Sequence, residues 1–176
     1  ARPSGRWTRS SSWGCEVSVP TTLGIDPGLT GALCLLNGAA IDVFDVPTLQ
    51  IGKKSHVDVY ALARLIDQLS TSNPTVFLEQ VGTRPGEGAV GAFSFGHTCG
   101  LLRGICAAHF LKIEMVTPAT WKRAMKVTGD KDECRAKAAA MWPRHSGLFA
   151  RKKDDGRAEA ALLAVYGRRQ IYAEAA

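Results

Sequence analysis

A chain of 176 residues has room for one domain with a substantial core and is short of a comfortable pair. With 45% hydrophobic and 22% charged residues and no apolar run near the roughly 18 that a spanning helix needs, a membrane-crossing segment is excluded. Five cysteines (Cys15, Cys34, Cys99, Cys106, Cys134), with no Cys-x-x-Cys pair, exclude a disulfide framework and a structural zinc site and read as small apolar residues kept reduced. The net charge of +6 is unevenly placed: residues 119–157 hold eleven Lys/Arg against five Asp/Glu, and the rest of the chain is balanced. Such a block is either a solvated helix face or a surface that draws in a polyanion.

Residues 1–20 are rich in Ser and Arg, carry no acid before Glu16 and show no hydrophobic period. They read as a disordered leader or the remnant of a transit peptide, with 21–176 as a single domain. Three short apolar runs divided by Gly and Pro, Thr22–Asp26, Gly31–Leu36 and Ala40–Val46, predict an antiparallel meander. The apolar spacing within His56–Leu69 predicts an amphipathic helix, Asn73-Pro74 ends it, and Thr75–Glu79 is a buried strand. The Gly-rich stretch 81–100, with Arg84, Phe93, Phe95 and His97, reads as a mobile loop feeding an apolar helix to Phe110. Lys112–Val116 supplies a fifth strand, Thr117-Pro118 opens a helix at Ala119, Lys131–Met141 forms another, and Asp154–Gln170 is the last. The sum is an α/β protein with a five-stranded mixed sheet and helices on both faces, in the element order of the ribonuclease H-like fold.

Four carboxylates occupy positions that this order brings within reach of one another. Asp26 closes Leu23-Gly24-Ile25, and Glu79 closes Val76-Phe77-Leu78, so both stand at strand ends. Asp155 and Glu159, four apart, share one helix face. Gathered anions need cations, and hard oxygen donors suit Mg²⁺ or Mn²⁺. Each has a plainer alternative: Asp26-Pro27-Gly28 as a turn, Glu79 as a strand-end charge reaching solvent, Asp155 and Glu159 as complements to the helix dipole, a role that suits Asp154 above all. Trp121 and Trp142 flank basic helices and read as core residues, with DNA contact as the alternative; of the two histidines that suggest a general base, His109 reads as hydrogen-bonded core and His97 is open to either reading.

The motifs Leu23-Gly24-Ile25-Asp26-Pro27-Gly28 through Gly31, Phe77-Leu78-Glu79-Gln80, Thr117-Pro118 with Lys122, and Ala158-Glu159-Ala160 resemble the RuvC-type Holliday junction resolvases, over about Thr22 to Arg169. The bacterial pattern closes with two aspartates three apart. Here Asp155 and Glu159, together with Lys131-Asp132-Glu133-Cys134-Arg135 and Met141-Trp142-Pro143, are more similar to the plastid branch, the monokaryotic chloroplast resolvases, with related phage enzymes sharing some of these features.

The resemblance implies that Asp26 bridges two Mg²⁺ ions (Mn²⁺ as a substitute), that Glu79 binds one, and that Asp155 and Glu159 complete the cluster. It places Lys131 near the scissile phosphate and Lys122 at a second phosphate. It sends the loop Gly82–Gly96 into the junction centre, where Phe93 or Phe95 would stack on a base. Arg84, Arg123, Arg135, Lys152 and Lys153 would add to the DNA surface. The implied protein is a homodimeric nuclease that nicks four-way junctions in pairs, in the chloroplast nucleoid or else in bacterial or phage-infected cytoplasm. Two other classes compete: an actin-like phosphotransferase, for whose second domain the length leaves no room, and a silent nucleic-acid-binding module, which loss of acidic ligands would mark.

Overall fold

The computed structural model describes residues 19–80, 82 and 88–176. The strands β1 (Thr22–Asp26), β2 (Ala32–Asn37) and β3 (Ala40–Asp45) form the expected meander, and β6 (Thr75–Glu79) and β7 (Ile113–Val116) join it in the order β3-β2-β1-β6-β7. β1 pairs antiparallel with β2 but parallel with β6, and β6 pairs parallel with β7. Ile25 lies opposite Leu78 and Glu79 opposite Val116. Register alone therefore carries Asp26, Glu79 and the chain leaving Val116 to one sheet edge, the C-terminal end of three parallel strands, where open α/β sheets place their ligands.

Both faces of the sheet are covered, as the apolar runs required. Leu23, Ile25, Leu33, Val76 and Leu78 pack with Leu62 and Ile66 of α1 (Val59–Ser70) and Leu102 and Cys106 of α2 (Ala89–Ala108). The alternate residues Ala32, Cys34, Leu36 and Phe77 pack with α3 (Pro118–Met125), α4 (Lys131–Met141) and α5 (Asp155–Glu174). Each fully buried Leu or Ile contributes roughly 1.5–3 kcal/mol.

The last helix lies against the first strand at very short range because the contact is made of small residues. A Cβ on Gly24 would stand 2.1 Å from the Ala160 carbonyl oxygen and 2.5 Å from the Ala164 amide. The buried Thr22 hydroxyl donates to the Ala164 carbonyl at 3.0 Å, tying strand to helix. One turn earlier, a Cβ on Gly156 would meet the Thr30 carbonyl at 2.5 Å, so only glycine lets the start of α5 rest on the turn after Asp26.

Two strands and two helices depart from the sequence expectation. A hairpin of β4 (Thr48–Ile51) and β5 (Lys54–Val57), turning at Gly52 with φ +63°, takes residues assigned to the connection and to the first turn of the helix. β4 is exposed throughout, so it carries no burial pattern to read. Helix α1 starts only at Val59, where the Asp58 side chain accepts from the Ala61 amide at 2.9 Å. Helix α2 begins at Ala89, so the region read as a mobile loop is helical from there on. Its glycines, which cost roughly 1 kcal/mol each in a helix, are offset by burial of Thr98, Leu102 and Cys106.

Candidate metal centre

Asp26, Glu79 and Glu159 each bring a carboxylate oxygen to a common point, all within 4.8 Å of one another. The three come from the ends of β1 and β6 and from the second turn of α5, so the parallel register and the Gly24 contact together define their spacing. They face a cavity of about 460 Å³ that Phe95, Lys122, Lys131 and Asp155 also line. Asp155 is ion-paired with Lys131 at this wall, and Lys122 Nζ donates to Glu159 Oε1 at 2.7 Å.

The electrostatics follow from crowding. Burial first, then the charges of Glu79, Glu159 and Asp155, push the Asp26 carboxyl well above the usual carboxylate range, and Lys122 pulls it back only in part. Burial opposes the charge of Lys122, but its hydrogen bond to Glu159 and the Glu159 and Glu79 charges outweigh that, and the ammonium is held above its ordinary range. Lys131 is raised too, chiefly by its hydrogen bond to Asp155. Converging hard oxygen donors with one carboxyl destabilised as an anion fit an oxygen-seeking divalent cation.

The neighbouring Asp154 points elsewhere. It is buried, accepts from the Arg151 amide at 2.8 Å and from the Arg151 guanidinium, and closes the 3-10 turn Lys152–Asp154 before α5. Burial works against its charge, yet the Arg151 contacts hold it below the usual range. Arg157 sits 3.9 Å away while gripping Asp45 of β3 with two bonds of 2.6 Å, so the start of α5 is pinned from two sides.

The residues expected to meet DNA divide. Lys152, Lys153 and Arg123 are exposed, the first two on the turn before α5 and the third on α3. Arg135 is turned inward: its guanidinium bonds Asp132 and the Ala150 carbonyl, bracing α4, and only 15% of the side chain is exposed. Phe93 and Phe95 ride on α2 rather than on a loop. Phe95 lines the cavity, whereas Phe93 is 75% exposed and stacks on His97 at 6.3 Å. Arg84, and most of residues 1–20, lie outside the described residues. His109 is half-buried at the end of α2, 3.7 Å from the Asp67 carboxylate, rather than in the core.

One participant was not legible as a partner of the acids. Trp121 is fully buried, as expected, and its indole Nε1 donates to Glu79 Oε1 at 2.8 Å. No spacing rule links a tryptophan on α3 to a strand-end acid 42 positions earlier.

The mixed five-stranded sheet with helices on both faces is the ribonuclease H-like architecture, and solved structures share it. RuvC of T. thermophilus in complex with Holliday junction substrate superposes with a TM-score of 0.58 at 16% identity, over 86% of this chain and 96% of that one. A second Thermus thermophilus RuvC structure gives 0.53 at 18% identity, over 85% and 96%. No protein-family model and no curated protein matches the sequence.

Proposed function

We propose that this chain is a divalent-cation-dependent endonuclease that resolves four-way DNA junctions. The observation that carries this reading is the convergence of Asp26, Glu79 and Glu159 within 4.8 Å at the C-terminal edge of the sheet, with Lys122 and Lys131 on the same cavity. The fold shared with a RuvC that was solved on a Holliday junction supports the substrate class.

Asp26, Glu79, Glu159 and Asp155 would hold Mg²⁺ or Mn²⁺, two ions per site, and ions held there would supply positive charge to the scissile phosphate and lower the pKa of a bound water. The carboxylates position and need not shuttle protons, and their placement on strand ends and a helix gives the rigidity this requires. Lys131, with 69% of its side chain exposed, is free to turn from Asp155 to a phosphate oxygen. Lys122, more enclosed, keeps Glu159 in place and offers a second positive charge to the strand. Recognition would rest on phosphate positions and branch shape, with Lys152, Lys153 and Arg123 on the outer surface and Phe95 at the cavity wall. Two symmetric nicks require two such sites, hence a homodimer. The Asp155–Glu159 spacing supports the plastid branch, with action in the plastid nucleoid.

With Mg²⁺, the protein should nick a four-way junction symmetrically, leaving 5′-phosphate and 3′-hydroxyl ends, and leave linear duplex largely intact. Equal cutting of both substrates, mapped on sequencing gels, would sink the junction reading. Junction affinity should fall steeply between about 50 and 200 mM salt. Lys131→Ala should slow cleavage about 100-fold, as loss of one charge-stabilising donor does elsewhere, while junction Kd stays nearly unchanged. Single-turnover rates beside filter binding separate the two, and a change confined to affinity would remove Lys131 from the chemistry.

A further inference from the structure

The geometry points to Trp121 as a positioning residue for cation binding, acting through Glu79; this rests on the metal-centre reading above. Trp121 is fully buried and Glu79 is 6% exposed, so their 2.8 Å hydrogen bond is made away from water. An indole N–H can only donate, so it holds a carboxylate oxygen without adding a competing charge. A carboxylate gripped at one oxygen loses rotational freedom and presents its ligand atom at a fixed angle, as the outer partners of metal ligands commonly arrange.

The neighbouring residue extends the effect. Lys122 follows Trp121 on α3, its Nζ lies 5.1 Å from the Trp121 ring centre, and it bonds Glu159. One eight-residue helix thus grips acids from β6 and from α5 with two consecutive side chains. That helix is itself fixed at its start: Pro118 occupies the first turn and the Thr117 hydroxyl accepts from the Thr120 amide. Phenylalanine at 121 would keep the aromatic packing and delete only the donor.

The test uses Trp121→Phe in the full chain, with Mn²⁺ binding read by calorimetry and cleavage read by Mg²⁺ titration. Expected are a dispersed amide spectrum like the wild type's, Mn²⁺ affinity weakened about 10–100-fold, and a matching rise in the Mg²⁺ needed for half-maximal cleavage. In a Glu79→Gln background the same substitution should cost little more, because the two act on one ligand. Unchanged Mn²⁺ affinity, or losses that add fully in the double variant, overturns the role. Should Trp121→Phe fail to fold, the wild-type protein still decides: the Trp121 indole resonance should shift during Mg²⁺ titration with the calorimetric midpoint, and one that stays put through saturation refutes the coupling. Wild-type protein that binds Mn²⁺ but leaves junctions uncut defeats the nuclease reading while the Trp121 comparison still stands. Wild-type protein that binds no Mn²⁺ defeats both.

Discussion

Asp26→Asn should make the cation-free protein melt at a higher temperature while abolishing its response to Mg²⁺. The carboxylate stands among Glu79, Glu159 and Asp155, and burial together with those charges disfavours its ionised form. Removing it relieves repulsion, raising Tm by about 2–4 °C for each kcal/mol relieved in a protein of this size. The sign of the pH dependence follows from the same shift. Between the ordinary carboxylate value of 3.8 and the raised native value, the folded protein holds a proton that the unfolded chain has lost. Stability therefore falls as pH rises through that window and levels off above it. The asparagine variant lacks this loss, so the two Tm curves should converge near pH 4 and separate toward neutrality. Cleavage should drop by at least about three orders of magnitude, the several kcal/mol that bound cations supply to a charged transition state. Curves that stay parallel from pH 4 to 8 would contradict the crowding of charge around Asp26.

Gly24→Ala should unfold the protein at a temperature lower by about 6–12 °C. A single methyl at this position falls 2.1 Å from the Ala160 carbonyl and 2.5 Å from the Ala164 amide, both backbone atoms that no rotamer change can move. Helix α5 must back away as a body, at a cost of about 3 kcal/mol or more, the upper range for overpacking. Because α5 carries Asp155 and Glu159, Mn²⁺ affinity should fall with stability, although residue 24 makes no contact with the cavity. Gly104→Ala is the matched control. It lies inside α2 with open space where the new Cβ would go, and should gain up to about 1 kcal/mol. Calorimetric scans of the two variants should therefore move in opposite directions, and a Gly24→Ala melting point at the wild-type value would remove the close-contact explanation.

Much of this architecture could be read from the chain, and the failures have identifiable causes. β1, β6 and α4 begin and end where apolar runs meet Asp26-Pro27, Glu79-Gln80 and Asp130, because burial and caps act locally there. The β4–β5 hairpin escaped because its exposed residues have no inside and outside to alternate. The start of α2 escaped because its glycines advertise a loop while the buried side of the helix holds them in place. Among the acids, a spacing of four correctly put Asp155 and Glu159 on one side of α5. The same spacing could not say whether Asp154 or Asp155 faced the cavity: the 3-10 turn and the grip of Arg151 decide that, and neither leaves a periodic trace. Arg135 is read for its charge alone, and its bond to Asp132 within α4 likewise leaves no trace in that reading.

The Thr22–Ala164 bond joins residues 142 positions apart, and the three converging acids run from residue 26 to residue 159. A growing chain on the ribosome can therefore pair β1 with β2 and β3 early, yet it holds only a partial set of acids until α5 has emerged and docked. The cluster of Asp26, Glu79 and Glu159 is complete only once α5 has docked. A chain folding in this order builds the sheet before it builds the acidic cluster.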